Sequence, residues 1–401
     1  MSKPAIVIGA IGTHGDLNPM LTLGSELARR GYRCSVLAGS WQEPAVRKVG
    51  LEFHPILSEV QFRQFNDNLR TASSPGADWI TFFYDAVFPA TGPTFEFVRD
   101  HATRGDMVLI GASHVIGLRL AAERFGIPMV TTNVQPESLR PSRDDEFAIY
   151  MNGLLTRLLD QHRRNAGLAA ASLPFIEWLD SDRTLVSLFP EWFLVSGIDG
   201  PAHAQGTMLD FIFDDPQAGA HASRTIDAFL AAHDAPIVFT AGTGATLVRE
   251  FFAAAVDSAA ALSRPALLLT KAREQVPDPL PRGMLHVDYL PFAELLPYAG
   301  GIVHHGGIGT FAQSLRAGIP QIIMPGGFDQ FGNAAKAATF GVGDRIDPKS
   351  LDARELASKL DGVLHSADTA RSCRAYRNRF DPAHTLEWCC DAIEAVLIRA
   401  A

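Results

Sequence analysis

The sequence predicts an α/β protein made of two successive halves, each built on a parallel sheet. Three observations predict it. The apolar run at residues 5–8 reads as a short buried strand and leads into a glycine-rich turn over residues 9–16. Residues 236–243 repeat that opening, strand and then glycine turn, in the second half. At 401 residues, the chain also exceeds the usual size of a single hydrophobic core.

The first half opens with a βαβ unit. After the glycine turn, residues 19–30 carry Met20, Leu21, Leu23, Leu27 and Ala28 at helical spacing, with basic residues in the last turn and Gly31 beyond. A second strand follows at 34–38. A crossover of this length joins parallel strands and is right-handed. Further strands are expected at 107–110 and 129–132 around a helix over 117–124, and a strand at 185–188 closes the half. Residues 58–100 are too long for a crossover and carry Phe62, Phe65, Trp79, Phe82, Phe83, Tyr84, Phe88, Phe95 and Phe97. Two readings stand for this segment: a helical insertion that packs, or the lining of an apolar acceptor pocket. Residues 197–236 read partly as a linker. The second half then alternates a helix at 248–262, strands at 266–270 and 301–304, a helix at 311–317 and a strand at 321–324.

Composition narrows the function classes. A formal charge of −9 argues against a general nucleic-acid binder, which needs a basic face. No run of about 18 apolar residues is present, and the N-terminal apolar run is too short for a signal-peptide core. Cys34, Cys373, Cys389 and Cys390 have neither the number nor the spacing of a disulfide framework or a zinc site. A cytoplasmic protein is the expectation.

The two glycine turns carry the chemistry. Gly9, Gly12 and Gly15 resemble a dinucleotide fingerprint, but the second strand ends in Ala38, Gly39 and Ser40, with no carboxylate for a ribose. Asp16 lies at the carboxyl edge of the first strand, where open α/β sheets bind ligands. It reads equally as a helix cap and as a base that takes a proton from a bound hydroxyl, with His14 as a neighbouring candidate. In the second half, HHGGIGT (304–310) joins a strand to a helix. Glycines there let backbone approach a phosphate, and free helix amides supply donors. No lysine follows, so this is not a Walker A loop. Asp329 and Gln330 are expected at the end of the next strand, a place suited to bonding sugar hydroxyls.

HHGGIGT (304–310), AGIPQIIMPGGFDQFGNA (317–334) and GTHGDLNPMLTLGSELARRGY (12–32) resemble the GT-B nucleotide-sugar glycosyltransferases. The likeness is to the inverting UDP-glycosyltransferase family (GT1), which includes plant, macrolide, sterol and glycopeptide enzymes. LFPEWF (188–193), VFTAGT (238–243) and YLPFAELLP (289–297) are most similar to rhamnolipid-type rhamnosyltransferases. The resemblance implies two Rossmann-like domains whose parallel sheets face across a cleft: an acceptor domain over 1–205, a nucleotide-sugar domain over 206–380, and a C-terminal helix in 381–401 that packs back on the first domain. It assigns Asp16 as general base. It places His305, with His304 as its neighbour, on the donor diphosphate, together with Gly307, Gly309, Thr310 and Thr243. Tyr289 would stack on the nucleotide base, and Asp329 and Gln330 would bond the sugar. Plant members carry glutamate for the ribose where this chain has Gln313, so UDP- and dTDP-linked donors both stay open.

The implied reaction is transfer of rhamnose or glucose to a hydroxyl of a small apolar or lipidic acceptor. The nucleotide sugar is the co-substrate, and neither a cofactor nor a metal is expected. Peripheral membrane contact and oligomeric state stay open. The competing readings are a nucleotide-sugar epimerase of the same fold, a glycosyltransferase for an aromatic natural product, and a non-catalytic nucleotide-binding module.

Overall fold

A computed structural model describes residues 3–71, 77–102, 107–136, 146–181, 185–199, 206–213, 224–242, 248–380 and 385–400. The chain divides into two compact units, residues 1–216 with 383–401, and residues 217–382.

The first unit begins β1 (Ala5–Gly9), α1 (His14–Arg29), β2 (Arg33–Gly39), α2 (Glu43–Lys48) and β3 (Glu52–Leu57). The aromatic segment follows as α3 (Glu59–Thr71), α4 (Ala77–Phe82), a π-helical turn at Phe83–Val87, and α5 (Phe88–His101). Then come β4 (Met107–Gly111), α6 (Ile116–Phe125), β5 (Met129–Asn133), α7 (Glu146–Asn165), α8 (Phe175–Asp180), β6 (Leu185–Ser187) and β7 (Thr207–Met208). All seven strands are parallel, in the order β3-β2-β1-β4-β5-β6-β7. The sheet grows outward from β1 in one direction and from β4 in the other. The carboxyl ends of β1 and β4 therefore flank the switch point, where an open α/β sheet offers its crevice.

The second unit contains α9 (Arg224–Ala232), β8 (Ile237–Thr240), α10 (Val248–Ala261), β9 (Ala266–Leu269) and β10 (Met284–Val287). It continues with α11 (Phe292–Leu295), β11 (Gly301–His304), α12 (Ile308–Ala317), β12 (Gln321–Ile323), α13 (Gln330–Thr339) and β13 (Gly343–Arg345), then α14 (Ala353–His365) and α15 (Ala367–Arg377). Its sheet is parallel, in the order β10-β9-β8-β11-β12-β13. The switch point here lies between β8 and β11. Phe239, Phe251, Val303, Ile322 and Leu356 fill its core without solvent exposure.

The helical reading of residues 58–100 agrees with the structure, but other expectations do not. The first unit runs past the expected residue 205, because β7 pairs with β6 in its sheet. The linker reading fails over Arg224–Ala232, which is helical because Ile226, Phe229 and Leu230 recur on one face and pack on the core. α1 starts at His14, five residues before the expected 19, because Thr13 and Asp16 cap it reciprocally. The Thr13 hydroxyl accepts from the Gly15 amide at 3.2 Å, and the Asp16 carboxylate accepts from the Thr13 amide at 2.8 Å.

The C-terminal helix α16 (Thr385–Ala400) belongs to the first unit and places Cys389, Cys390 and Ile393 in its core beside Leu27 and Cys34. Arg30, at the end of α1, anchors it. Its guanidinium donates to Glu394 at 2.6 Å, to Asp391, to the Glu387 carbonyl at 3.0 Å and back to Glu26 at 2.9 Å. Hydrogen bonds to charged partners contribute more than neutral ones, so Arg30→Ala is expected to destabilise the unit by about 2 kcal/mol. Chemical denaturation checks the loss, and faster amide exchange in α16 locates it.

Candidate active site

The first unit builds a carboxylate site at the β1/β4 switch point. Gly12 holds a φ of +135°, and the Asp16 carboxylate lies so close over it that any Cβ there would collide with the side chain. The turn thus draws the carboxylate back against its own backbone, where Thr13 donates to it. Burial raises the Asp16 pKa above the ordinary carboxylate value. The neighbouring positive potential of His114 and the Thr13 hydrogen bonds pull the other way without cancelling the rise. Asp16 is therefore a helix cap and a more basic carboxylate at once, so the two sequence readings are compatible. His14 opens α1 and is half-buried beside it.

His114 is the residue that sequence reading missed. It follows β4, and its Nε2 lies 3.2 Å from the Ile11 carbonyl, which fixes the ring against the β1 turn. Only the strand order brings it to Asp16, since 98 positions separate the two residues and no motif marks it. An aromatic wall continues from it. Phe82 meets the His114 ring edge-on at 5.3 Å, Phe65 and Trp79 pack on Phe82, and Phe62 stacks on Trp41 at 3.8 Å. Gln42 pins this wall to the glycine turn, accepting from the Gly39 amide at 3.0 Å and donating to the Gly12 carbonyl at 3.4 Å. The π-helical turn lies in the same segment. Such turns mark places where a helix has been re-aimed at some energetic cost.

The second unit places an uncapped helix N-terminus at its own switch point. α12 has Gly307 at its N-cap and no side-chain cap, so its first amides have no partner from a capping side chain. Gly309 is exposed and Thr310 half-buried in that first turn. His305 lies across it. Its Nδ1 is buried and has no hydrogen-bond partner among the described residues. Burial pushes its pKa down to about 4, so the ring is neutral at physiological pH. Two glycines cradle the ring: a Cβ on Gly242 would stand 2.5 Å from it, and one on Gly307 2.6 Å from Nε2.

His304 does a different job from the one the resemblance suggests. It has no solvent exposure, its Nδ1 accepts from the Gly306 amide at 3.1 Å, and its Nε2 therefore donates to Gln321 at 2.9 Å. Both ring nitrogens are committed, and burial pushes its pKa down to about 3. It shapes the turn and has no atom left for a ligand.

Asp329 caps the start of α13, and Gln330 follows it, with its side-chain oxygen accepting from the Gly326 amide at 2.7 Å. Phe328, just before, holds a φ of +52°, a left-handed conformation costly for a non-glycine residue. Gln313 is half-buried on α12, and Tyr289 half-buried after β10. Thr243 lies outside the described residues. His305, Gly307, Thr310, Asp329 and Gln330 thus gather at the carboxyl ends of β11 and β12, while in the first unit Asp16 faces His114 and His14 lies in the same first turn of α1. Among the described residues, no group of three His, Cys, Asp or Glu side chains is arranged to hold a metal, and no helix is long and apolar enough to cross a membrane.

Comparison with known proteins agrees with this architecture. Residues 6–140 match the glycosyltransferase family 28 N-terminal domain, and residues 254–381 match the erythromycin biosynthesis protein CIII-like C-terminal domain. The chain is 26% identical over 400 residues to the O-mycaminosyltylonolide 6-deoxyallosyltransferase of Streptomyces fradiae, covering 93% of this chain and 92% of the relative. It is 24% identical over 401 residues to the sterol 3-beta-glucosyltransferase of Saccharomyces cerevisiae, covering 87% of this chain but only 31% of that longer protein. Among solved structures, the glycosyltransferase of kitacinnamycin superposes with a TM-score of 0.79 at 18% identity, over 98% of this chain and 99% of that one. A spinosyn rhamnosyltransferase complexed with thymidine diphosphate superposes at 0.68 and 17% identity, over 98% and 99%. Two parallel α/β units, a glycosyltransferase-type family domain matched in each, and relatives along the whole chain identify one protein class: the chain is a glycosyltransferase of the GT-B fold.

Proposed function

We propose that the enzyme moves a hexosyl group, rhamnose or glucose, from a UDP- or dTDP-linked donor to a hydroxyl of a small apolar acceptor, with inversion and with Asp16 as general base. The observation that carries the donor half is the His305 turn. A neutral imidazole with an unpartnered buried nitrogen, set at an uncapped helix N-terminus, suits the diphosphate of a nucleotide sugar. As the glycosidic bond breaks, negative charge grows on the diphosphate, and those fixed donors stabilise it without reorganising. Asp329 and Gln330 serve the sugar hydroxyls, and Tyr289 the base.

On the acceptor side, the Asp16 carboxylate takes the hydroxyl proton as the oxygen attacks the anomeric carbon. The Trp41, Phe62, Phe65 and Phe82 wall supports an apolar acceptor over a polymeric one. Its stacked and edge-on rings favour flat, fused-ring or aromatic molecules as well as acyl chains. The names of the relatives, a sterol glucosyltransferase and a macrolide sugar transferase, point to the same acceptor chemistry.

Incubation with UDP-glucose and dTDP-rhamnose, with and without a hydroxylated lipid, a sterol or a polyphenol, tests the proposal. The expected result is nucleotide release that depends on the acceptor and is matched by a glycosylated product. Isomerised nucleotide sugar without any acceptor would make the protein an epimerase, and nucleotide binding without turnover would make it a binding module.

A further inference from the structure

We propose that Asn333 is a positioning residue that couples the phosphate turn to the sugar-binding carboxylate, so that one buried amide holds both halves of the donor site. This rests on the donor reading above and goes beyond it, because neither the glycine motif nor the Asp329-Gln330 pair includes Asn333.

Asn333 lies on α13 and is only 2% exposed. Its Nδ2 donates to the Gly306 carbonyl at 2.8 Å and to Asp329 Oδ2 at 2.8 Å. A side-chain amide has two N–H groups, and both are used here. Gly306 is the residue after His305, and its own amide donates to His304 at 3.1 Å. The Gly306 residue is thus held from both sides, by His304 on its N–H and by Asn333 on its C=O. That grip sets the path of the backbone between His305 and the N-terminus of α12. The same Asn333 amide holds one oxygen of Asp329 and so orients the carboxylate. Its neighbours forbid easy substitution. An acid here would place a second carboxylate against Asp329 and the Gly306 carbonyl. An alanine would leave a buried carbonyl and a carboxylate oxygen without this donor.

The consequence is a pattern of effects. Loss of Asp329 removes the sugar contacts and one Asn333 bond, but leaves the Asn333 grip on Gly306 in place. Loss of Asn333 loosens the phosphate turn as well, although Asn333 needs no contact with the ligand. Binding of UDP, dTDP, UDP-glucose and dTDP-rhamnose to the wild type, Asp329→Ala and Asn333→Ala is measured by calorimetry, with melting temperatures recorded in parallel. The expected result is that Asp329→Ala keeps the affinity for the bare nucleoside diphosphate within about twofold and loses the added affinity for the sugar. Asn333→Ala is expected to weaken bare nucleoside diphosphate about tenfold and to erase the sugar increment too. Asn333→Ser, which keeps one donor, should fall between them, and it carries the comparison if the alanine variant does not fold. The His305 ring resonances should also shift less on nucleotide addition in the Asn333 variants.

A folded Asn333 variant that binds bare nucleoside diphosphate as the wild type does would overturn the coupling while leaving the donor reading intact. A wild type that binds none of the four ligands would overturn the donor reading and the coupling with it.

Discussion

Asp16→Asn is expected to lower kcat/KM for sugar transfer on the order of 10³-fold while leaving donor affinity unchanged. The substitution is a clean one, because the asparagine oxygen can still accept from the Thr13 amide at the 2.8 Å position and so keep the α1 cap. What disappears is the ability to take a proton. Loss of the cap alone would cost about 1 kcal/mol of stability, a melting-temperature effect with no reason to be confined to turnover. Steady-state kinetics together with a thermal melt therefore separate the two roles of Asp16. The pH dependence follows with a definite sign. As the proposed base, Asp16 acts in its carboxylate form, and burial raises its pKa above the ordinary value, so activity is expected to fall as pH drops through that raised value. The acid limb of kcat/KM should accordingly lie above the usual carboxylate range. His114 opposes the rise, so His114→Ala should move the limb to still higher pH. An unmoved limb would remove His114 from the electrostatics of the site, and full turnover by Asp16→Asn would remove Asp16 from the role of base.

The contrast between Asp16 and His114 shows what the sequence carries. Asp16 is legible because its surroundings are local: a strand, a glycine turn and a helix start within twelve residues. The same holds for His305 and the first turn of α12. His114 depends on which strand neighbours β1, and short parallel strands of similar composition do not announce their order. Asn333 is invisible for a related reason. It lies within the 317–334 motif, but nothing local gives it a role until Gly306, 27 positions earlier, is found within hydrogen-bond distance. The short edge strands β10 and β13 escaped notice because their alternation is weak and their residues are mostly half-buried. His304 misleads in the opposite direction. Sequence cannot tell which of two adjacent histidines a strand turns into the core, and the β11 register places His304 against Thr240 with no exposure at all.

The second large effect is expected from a residue that need not touch the ligand. Gly242→Ala should lower donor-side kcat/KM about as much as His305→Ala does, on the order of 10²-fold, because both remove the imidazole from its place. A Cβ at position 242 would lie 2.5 Å from the His305 ring, closer than side-chain carbons ever approach, and the φ of +75° there is already strained for alanine. The ring cannot retreat on its other side, because Gly307 lies against Nε2. It must turn out of the cradle, taking the proposed diphosphate contact with it. Gly362→Ala, on an exposed stretch of α14 where a Cβ meets nothing, serves as the control and should leave kinetics unchanged. Proton linkage provides an independent reading of the same site. The free ring is neutral down to about pH 4, and a bound diphosphate raises its pKa. Donor affinity should therefore increase as pH falls through the raised value and level off below about 4. Nucleotide binding near pH 6 should take up protons, which calorimetry in buffers of different ionisation enthalpy detects. That uptake should vanish in His305→Ala and shrink in Gly242→Ala. Undiminished uptake in both variants would place the phosphate elsewhere in the second unit.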